Sequence, residues 1–268
     1  MHRYGSLVLL LCAVALGACD KNGRQDITAP ASGANVKFFH FGVTAPGVNF
    51  YANTQKMTAI SSTACLPPND TTAVCRTTGT ESTTGTAYGA AGSGGLYNEV
   101  TPGQATLSGK IAAATDKDLA ISTVSATLDD GKFYSYYISG IYDATAKKVD
   151  AFVVEDPIPT SIDPTQAYVR FVNAVSNSQP MTLYAKSTTT GNEVAVGSTV
   201  AYKAAGTFLA LPGGVYDLNT RTAGSSTNVV TRTAVSFVAG RVYTVASRGD
   251  LVSTVTANKP ALDNTANR

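Results

Sequence analysis

Few residues of this chain have the chemistry of a catalyst, and the single candidate base is His40. The 268 residues include two histidines, and His2 lies beside the apolar N-terminal segment. A Ser-His-Asp or Cys-His mechanism would therefore depend on His40, and no G-x-S-x-G motif accompanies it. The alternative is a structural imidazole at a strand end, bonded to a nearby turn. We predict no catalytic residues and keep a hydrolase that uses His40 as a second alternative function.

Carboxylates could act in pairs as acid and base, or as ligands of a cation. The candidates are Asp129, Asp130, Asp143, Asp150, Glu155, Asp156 and Asp163. The motif Asp129-Asp130-Gly131 is typical of a hairpin turn, and Glu155-Asp156 before Pro157 is typical of a solvated linker end. Because no stretch has the alternating oxygen ligands of an EF-hand loop, we predict no metal site and no cofactor.

A group of tyrosines, Tyr134, Tyr136, Tyr137 and Tyr142, could form a surface on which sugars stack. On a strand, Tyr134 and Tyr136 share one face while Tyr137 points to the other, so part of the group is expected to pack in a core. The chain has no tryptophan, which is the commonest platform for sugars. Carbohydrate binding is therefore an alternative that requires an exposed cluster of two or more tyrosines.

Cys19 has the surroundings of a lipid attachment site. Arg3 precedes an apolar run from Leu7 to Leu16, which is too short to span a bilayer and is typical of a cleaved secretory signal. The stretch Leu16-Gly17-Ala18-Cys19 resembles the lipobox of bacterial lipoproteins, in which the cysteine becomes the first residue and carries acyl chains. This resemblance implies a signal peptide over residues 1–18, lipidation of Cys19 and a membrane anchor in the bacterial cell envelope. Asp20 does not decide between the inner and the outer membrane.

Two further cysteines remain for a disulfide. Cys12 leaves with the signal and Cys19 takes lipid, so Cys65 and Cys75 are the remaining pair in an oxidising compartment. The loop between them holds two prolines but no histidine, and its spacing is not that of a zinc site. We predict a disulfide between Cys65 and Cys75.

The charge of the chain indicates no charged partner. Lys and Arg number 20, Asp and Glu number 18, and the basic residues are scattered rather than clustered. We therefore expect no nucleic-acid partner. The expected partners are the membrane, reached through the lipid, and either an envelope protein or a polysaccharide.

The elements that position these residues occur twice. The stretch "VKFFHFGVTAPGVNFYA" from Val36 is similar to "VRFVNAVSNSQPMTLYA" from Val169, and "TPGQATLSG" and "DGKFYSYYISG" have counterparts near the end of the chain. Short runs rich in Val, Phe, Tyr and Thr, separated by turn residues, predict tandem antiparallel β-sandwiches of the immunoglobulin type. In the first copy these runs fall at residues 36–41, 48–52, 104–109, 119–128, 132–141 and 149–154.

These copies define the expected domain organisation. A signal peptide (1–18) and a lipid-anchored linker (19–34) precede a first sandwich (35–160), a short linker (161–166), a second sandwich (167–259) and a tail (260–268). Alternation places Val36, Phe38 and His40 on one strand face. The first copy carries extra residues, which we place between Ser61 and Gly95. A recognition loop and a tolerated low-complexity insertion are both open interpretations of this segment.

The ordered motifs resemble the DUF4397 family of bacterial envelope proteins, which has no assigned activity. The second copy contains "VRFVNA", a strand ending near Tyr184, a "PG" turn and "AGRVYTVASRG", and each motif has a counterpart in the first copy. Asn173 stands where the first copy has His40, so a site shared by both copies is not expected there.

We therefore predict a non-enzymatic, lipid-anchored envelope protein whose tandem sandwiches form a binding or structural module. The first alternative is a surface lipoprotein that binds carbohydrate or peptidoglycan, and the second is an envelope hydrolase that uses His40.

Overall fold

β-Strands form almost all of the regular structure in the computed structural model of the chain. The structure describes residues 33–58, 63–65, 75–77 and 84–267. The predicted signal peptide and the Cys19 lipidation site lie outside these ranges. Within them, no helix is both long and apolar enough to cross a membrane. The prediction of an all-β protein is confirmed.

The strands fall into two sets along the chain. Those of the first set are β1 (Ala34–His40), β2 (Val48–Ala52), β3 (Gln55–Lys56), β4 (Thr63–Cys65), β5 (Cys75–Thr77), β6 (Ala90–Ala91), β7 (Asn98–Val100), β8 (Gly103–Ile111), β9 (Ala120–Leu128), β10 (Phe133–Asp143) and β11 (Lys148–Glu155). Those of the second set are β12 (Gln166–Asn173), β13 (Met181–Ser187), β14 (Glu193–Val200), β15 (Ala204–Ala205), β16 (Leu209–Pro212), β17 (Gly214–Thr222), β18 (Val230–Phe237), β19 (Val242–Arg248) and β20 (Ala261–Ala266). Short 3-10 segments occur at Gly92–Gly95 and Thr256–Asn258.

Apart from β4 and β5, each set folds into two sheets with the same strand order. The first sandwich (residues 34–155) has an outer sheet ordered β3-β2-β8-β9 and an inner sheet ordered β11-β10-β1, in which β6 and β7 both pair with β1. The second sandwich (residues 166–266) has an outer sheet β14-β13-β17-β18 and an inner sheet β20-β19-β12, in which β15 and β16 both pair with β12. The prediction of β-sandwiches is thus confirmed.

One strand pair in each inner sheet departs from the antiparallel expectation. β1 runs parallel to β10, and β12 runs parallel to β19. A parallel pair cannot be joined by a tight hairpin, so the chain builds the outer sheet between the two strands. The other strand pairs described within the two sandwiches are antiparallel.

Alternation along β1 and β12 decides what each sandwich buries. Val36 and Phe38 point into the first core, and their counterparts Val169 and Phe171 point into the second core. All four side chains are fully buried, as the sequence pattern predicts.

The opposite faces of the same strands are buried as well, because the two inner sheets pack against each other. Their contact forms a third apolar cluster with contributions from both sandwiches. The buried members are Phe39, Phe41, Tyr137, Phe152, Val172, Ala174 and Ala246. Four sheets are therefore stacked face to face, and the two inner ones carry no solvated face at this cluster.

Two expectations about connections are corrected. The Asp129-Asp130-Gly131 turn joins β9 to β10, which belong to different sheets, so it is a corner and not a hairpin. Asp130 Oδ1 there accepts a hydrogen bond of 2.7 Å from the Gly33 amide. Residues 260–268, expected as a tail, contain β20, which pairs with β19. The sequence of β20 is polar, and its main buried side chain is Leu262. It therefore lacks the alternation of apolar and polar residues by which a strand is predicted.

The extra residues of the first copy occupy a shorter segment than residues 61–95, where the sequence analysis places them. β6 pairs with β1 as β15 pairs with β12, and Gly92 lies against Phe38 and Phe50 of the core. Residues 84–95 therefore belong to the sandwich, and the excess is confined to about residues 59–83. Within that segment, β4 and β5 form a ribbon that pairs with neither sandwich.

Candidate functional site

A group of polar side chains is buried where the inner sheets meet, and we name it the inner polar cluster: Lys37, Tyr97, Ser135, Asp156 and Arg170. Arg170 and Asp156 have fully buried side chains and form an ion pair. Asp156 Oδ2 also accepts hydrogen bonds of 2.7 Å from the Ser135 and Tyr97 hydroxyls. A buried carboxylate with three donors is well satisfied, which offsets the cost of burying its charge.

Burial changes the proton affinities of this cluster. It lowers the pKa of Lys37 from 10.5 to about 8, against the opposing effect of the Asp156 charge. Burial also raises the pKa of Tyr97, and the neighbouring Asp156 carboxylate raises it further. Tyr97 therefore remains a neutral donor to Asp156. The electrostatics are those of a structural contact between sheets rather than of a proton-transfer site.

Sequence reasoning missed this cluster, although one signal was present. Lys37 and Arg170 occupy the same position of the two similar strands "VKFF" and "VRFV", where a cation is unusual between apolar neighbours. The interpretation of Asp156 as a solvated linker end is wrong, because its side chain is fully buried. Proline at 157 marks the end of β11 correctly, but it gives no information on what covers the preceding carboxylate.

His40 lies at the end of β1 and is fully buried. Its Nε2 donates to the Pro46 carbonyl oxygen over 2.9 Å, and burial lowers its pKa, so the imidazole is neutral. Its Nδ1 has no hydrogen-bond partner among the described residues. The hydroxyl and the acid that the hydrolase alternative requires beside His40 are not among its described contacts. The counterpart Asn173 also bonds a turn, since its Oδ1 accepts from the Val175 amide.

The tyrosine platform that sugar binding requires is not formed by the predicted residues. Tyr134, Tyr136 and Tyr137 are all buried. Tyr134 and Tyr136 lie in the first core, whereas Tyr137 stacks between Phe39 and Phe152 at ring distances of 4.7 and 5.1 Å. Every tyrosine in the described part of the chain is buried or half-buried.

The candidate carboxylates are dispersed over the first sandwich and the linker, and most are engaged. Asp143 accepts from two amides of its own turn, and Asp163 accepts from Thr165. Asp150 lies 3.0 Å from the Lys203 ammonium. In the described ranges, no three His, Cys, Asp or Glu side chains lie close enough together to hold a metal ion.

The backbone of the β4–β5 ribbon places Cys65 directly opposite Cys75. Directly opposed residues of antiparallel strands lie within the Cα separation that a disulfide spans. The side chains of both cysteines lie outside the described part of the structure, so the disulfide remains a prediction.

An outward-facing concavity of about 410 Å³ lies on the second sandwich, and we name it the hairpin groove. It forms between the loop that joins β13 to β14 and the turn that joins β16 to β17. Its lining residues are Ser187, Thr189, Thr190, Asn192, Val194, Leu211, Pro212, Gly213, Gly214 and Tyr216. Gly191 turns the hairpin loop with a φ of +74°, a left-handed conformation that favours glycine.

The hairpin groove has an apolar wall and a polar rim. Val194, Leu211 and Pro212 supply aliphatic surface, while hydroxyl and amide side chains line the loop side. Tyr216 donates its hydroxyl to the Pro212 carbonyl over 2.7 Å and is held in place by this bond. Because no lining residue carries a charge at neutral pH, the groove suits an uncharged amphipathic ligand.

Comparison with known proteins agrees with the motifs of the second sandwich. Residues 167–267 match the family model described as "Domain of unknown function (DUF4397)". This match extends through β20, which confirms that the last strand belongs to the domain. The first sandwich has the same strand order, and its membership of the same family remains a prediction.

Other comparisons give little more. Comparison with curated protein sequences finds no relative of the chain. Among the solved structures that match, the Bacillus anthracis TIE protein has 13% sequence identity and a TM-score of 0.24. That match covers 82% of this chain and 34% of the other, so the chain spans about a third of that protein. Residues 167–267 thus match the family that the sequence motifs of the second sandwich indicate.

Proposed function

We propose that the chain is a lipid-anchored protein of the bacterial cell envelope, and that its paired β-sandwiches are a non-enzymatic binding module. The anchor rests on Leu16-Gly17-Ala18-Cys19 after a short apolar run. The binding role rests on the hairpin groove, which is an open concavity on the DUF4397 domain. The inner faces are occupied by each other, so a ligand has to reach the outer sheets and the loops.

The anchor is tested by metabolic labelling with a fatty-acid analogue. The wild type is expected to take up label, and Cys19→Ala is expected to remain unlabelled. Label retained on Cys19→Ala would overturn the assignment of this residue.

Binding is tested by capture from envelope extract with a soluble form that begins after Cys19. Val194 lines the groove and is 41% exposed, whereas Val238 is 52% exposed and lies outside the groove lining. Val194→Gln is expected to lose the captured partner, and Val238→Gln is expected to keep it. Equal capture by both variants would place recognition on another surface.

The polar rim of the groove favours polysaccharide as a second candidate ligand. Ser187 and Thr190 each accept a backbone amide with their hydroxyl oxygens, which leaves the hydroxyl protons to donate elsewhere. Donors beside an aliphatic wall match the alternating polar and apolar surface of a sugar ring. Co-sedimentation of the soluble form with purified peptidoglycan tests this candidate, and Val194→Gln is expected to reduce the bound fraction. A soluble form that stays in the supernatant would exclude peptidoglycan as the ligand.

A further inference from the structure

The contact between the two inner sheets is reciprocal, and the clearest pair of contacts involves the buried cations. Lys37 of β1 donates to the Ala266 carbonyl oxygen of β20. Arg170 of β12 donates to the Glu155 carbonyl oxygen of β11 over 2.8 Å. Lys37 and Arg170 hold equivalent positions in the two sandwiches, and so do Glu155 and Ala266, which end the strands beside β10 and β19. The same contact is therefore made twice, once in each direction.

A second reciprocal pair lies at the edge of the interface. The Tyr202 hydroxyl lies 2.8 Å from the Ser139 hydroxyl of the other sandwich. The Arg248 guanidinium lies over the Tyr88 ring at 4.9 Å, again across the interface. Tyr88 and Tyr202 each precede the short strand that pairs with β1 or β12, and Ser139 and Arg248 hold the same position on β10 and β19.

If the two sandwiches exchange places, each contact in these two pairs takes the position of its counterpart. The interface therefore has an approximate twofold axis. An interface in which residue i contacts residue j, and j contacts i, is the isologous type that two copies of one protein make. The centre of this interface has nevertheless become unequal. The first sandwich carries Phe39 and Tyr137 where the second carries Val172 and Ala246. The first sheet therefore contributes large aromatic side chains to this cluster, and the second sheet contributes small aliphatic ones.

We propose that the inner face of the DUF4397 domain is a pairing surface for a second sandwich of the same topology. Its partner carries aromatic residues where this domain carries Val172 and Ala246. In this chain residues 34–155 supply the partner, and a second copy of the chain supplies it when its own pairing is blocked.

The contacts between the two inner faces favour their pairing. Separation would expose the third apolar cluster to water and would break the ion pair between Arg170 and Asp156. The linker keeps the two sandwiches close to each other. Thr160 and Ser161 in its middle are exposed, so the chain can be cut there without disturbing buried side chains. The pairing is thus expected to survive loss of the covalent connection.

Cutting the linker of the full chain tests this expectation. A protease recognition sequence is inserted between Thr160 and Ser161, and the chain is cleaved under native conditions. The two pieces are expected to co-elute in gel filtration at micromolar concentration. Elution of two separate folded pieces would overturn the proposal.

A matched pair of variants shows which surface holds the pieces together. Ala246→Glu puts a carboxylate into the apolar centre of the interface, and Ser236→Glu puts one on an exposed position of β18 in the same sandwich. Ala246→Glu is expected to weaken association of the cleaved pieces by about a hundredfold or more, and Ser236→Glu is expected to leave it unchanged. The uncleaved Ala246→Glu chain should still unfold cooperatively, which excludes loss of the fold. Undiminished association in Ala246→Glu would contradict the proposed surface.

Pairing between chains is tested by mixing two uncleaved variants. One chain carries Ala246→Glu and so lacks a competent second face, and the other carries Tyr137→Glu and lacks a competent first face. The intact faces are expected to combine into a one-to-one complex, seen by native mass spectrometry, that neither variant forms alone. Two monomers at a concentration where cleaved wild-type pieces stay paired would refute pairing in trans.

Discussion

The two inner sheets have the same strands but achieve their packing with different side chains. The first presents rings at Phe39 and Tyr137, and the second presents Val172 and Ala246 at the equivalent positions. The polar positions differ as well, since Lys37 of one corresponds to Arg170 of the other. The comparison shows that one strand order can be kept while the two faces diverge into complementary halves. Substitutions at equivalent positions of the two sandwiches should then lower the free energy of unfolding by different amounts.

The largest expected effect comes from breaking the buried ion pair. Asp156→Asn leaves the Arg170 cation buried without a carboxylate, so we expect the free energy of unfolding to fall by about 3–5 kcal/mol. Urea denaturation measures the change. The exposed pair of Lys147 and Asp116 provides the control, and Asp116→Asn is expected to cost less than about 1 kcal/mol. Similar losses in both variants would show that the inner pair has no special role.

Truncation of equivalent inner-face residues tests the unequal distribution directly. Phe39→Ala removes a ring that stacks on Tyr137, and we expect a loss of about 3 kcal/mol. Val172→Ala removes two methyl groups at the equivalent position and should cost about 2 kcal/mol or less. Chemical denaturation of both variants gives the comparison. A larger loss for Val172→Ala would reverse our assignment of which sandwich supplies the main packing surface.

The pH dependence of stability should report the protonation of the buried Lys37 ammonium. Below pH 8, Lys37 is protonated in the folded and the unfolded chain. Between the folded pKa of about 8 and the ordinary value of 10.5, the unfolded chain binds a proton that the folded chain has released. The free energy of unfolding therefore rises with pH in this window.

From pH 7.5 to pH 9.5 the wild type should gain about 2 kcal/mol relative to Lys37→Met. Urea denaturation of both proteins at the two pH values measures this difference. Parallel pH profiles of the two proteins would show that Lys37 does not titrate in the folded state as we infer.

A small effect is expected from the excess residues of the first sandwich. Replacing residues 59–83 by a short Gly-Ser segment removes the β4–β5 ribbon, which pairs with neither sandwich. The free energy of unfolding should change by less than about 1 kcal/mol, because loop length affects closure entropy only weakly. Extending the replacement to Gly95 should cost much more, since it removes β6 and the Gly92 contact with the core. Equal stability of the two shortened chains would contradict the placement of residues 84–95.

The smallest expected change in stability follows removal of the predicted disulfide. The ribbon is separate from both sandwich sheets, so the double variant Cys65→Ser and Cys75→Ser should alter sandwich unfolding by less than about 1 kcal/mol. Peptide mapping without reduction is expected to recover the two cysteines linked in the wild type. Two free thiols in protein purified from the envelope would contradict the predicted compartment.

Sequence reasoning located the strands well, because alternation and turn residues are local signals. The segment predicted at 48–52 is β2 itself, and β1, β8 and β10 differ from their predicted limits by a few residues. Alternation also indicates that Phe39 and Phe41 form a second apolar face. It cannot identify what covers that face, because the cover comes from residues far along the chain.

The candidate sites were less predictable for the same reason. Asp156 follows a strand and precedes a proline, so its local pattern is that of a linker, and its burial is decided by Arg170 and Tyr97. The hairpin groove depends on the relative placement of two turns that are distant in sequence. No local motif predicts how close these two turns lie in space. Their residue composition predicts only that they are loops.

The hydrogen bond from Lys37 to the Ala266 carbonyl joins residues 229 positions apart. Contacts of such high sequence separation slow folding, because the entropy of closing the intervening chain is lost before the contact can form. During synthesis, which proceeds from the N-terminus, the aromatic side of β1 must wait for Val172, Ala174 and Ala246 of the second sandwich. An unfinished chain consequently exposes the apolar face of its first inner sheet for as long as the second sandwich is missing, and this state is prone to aggregation. Removal of the last few residues would therefore take away the hydrogen-bond acceptor of Lys37 in the first strand of the fold.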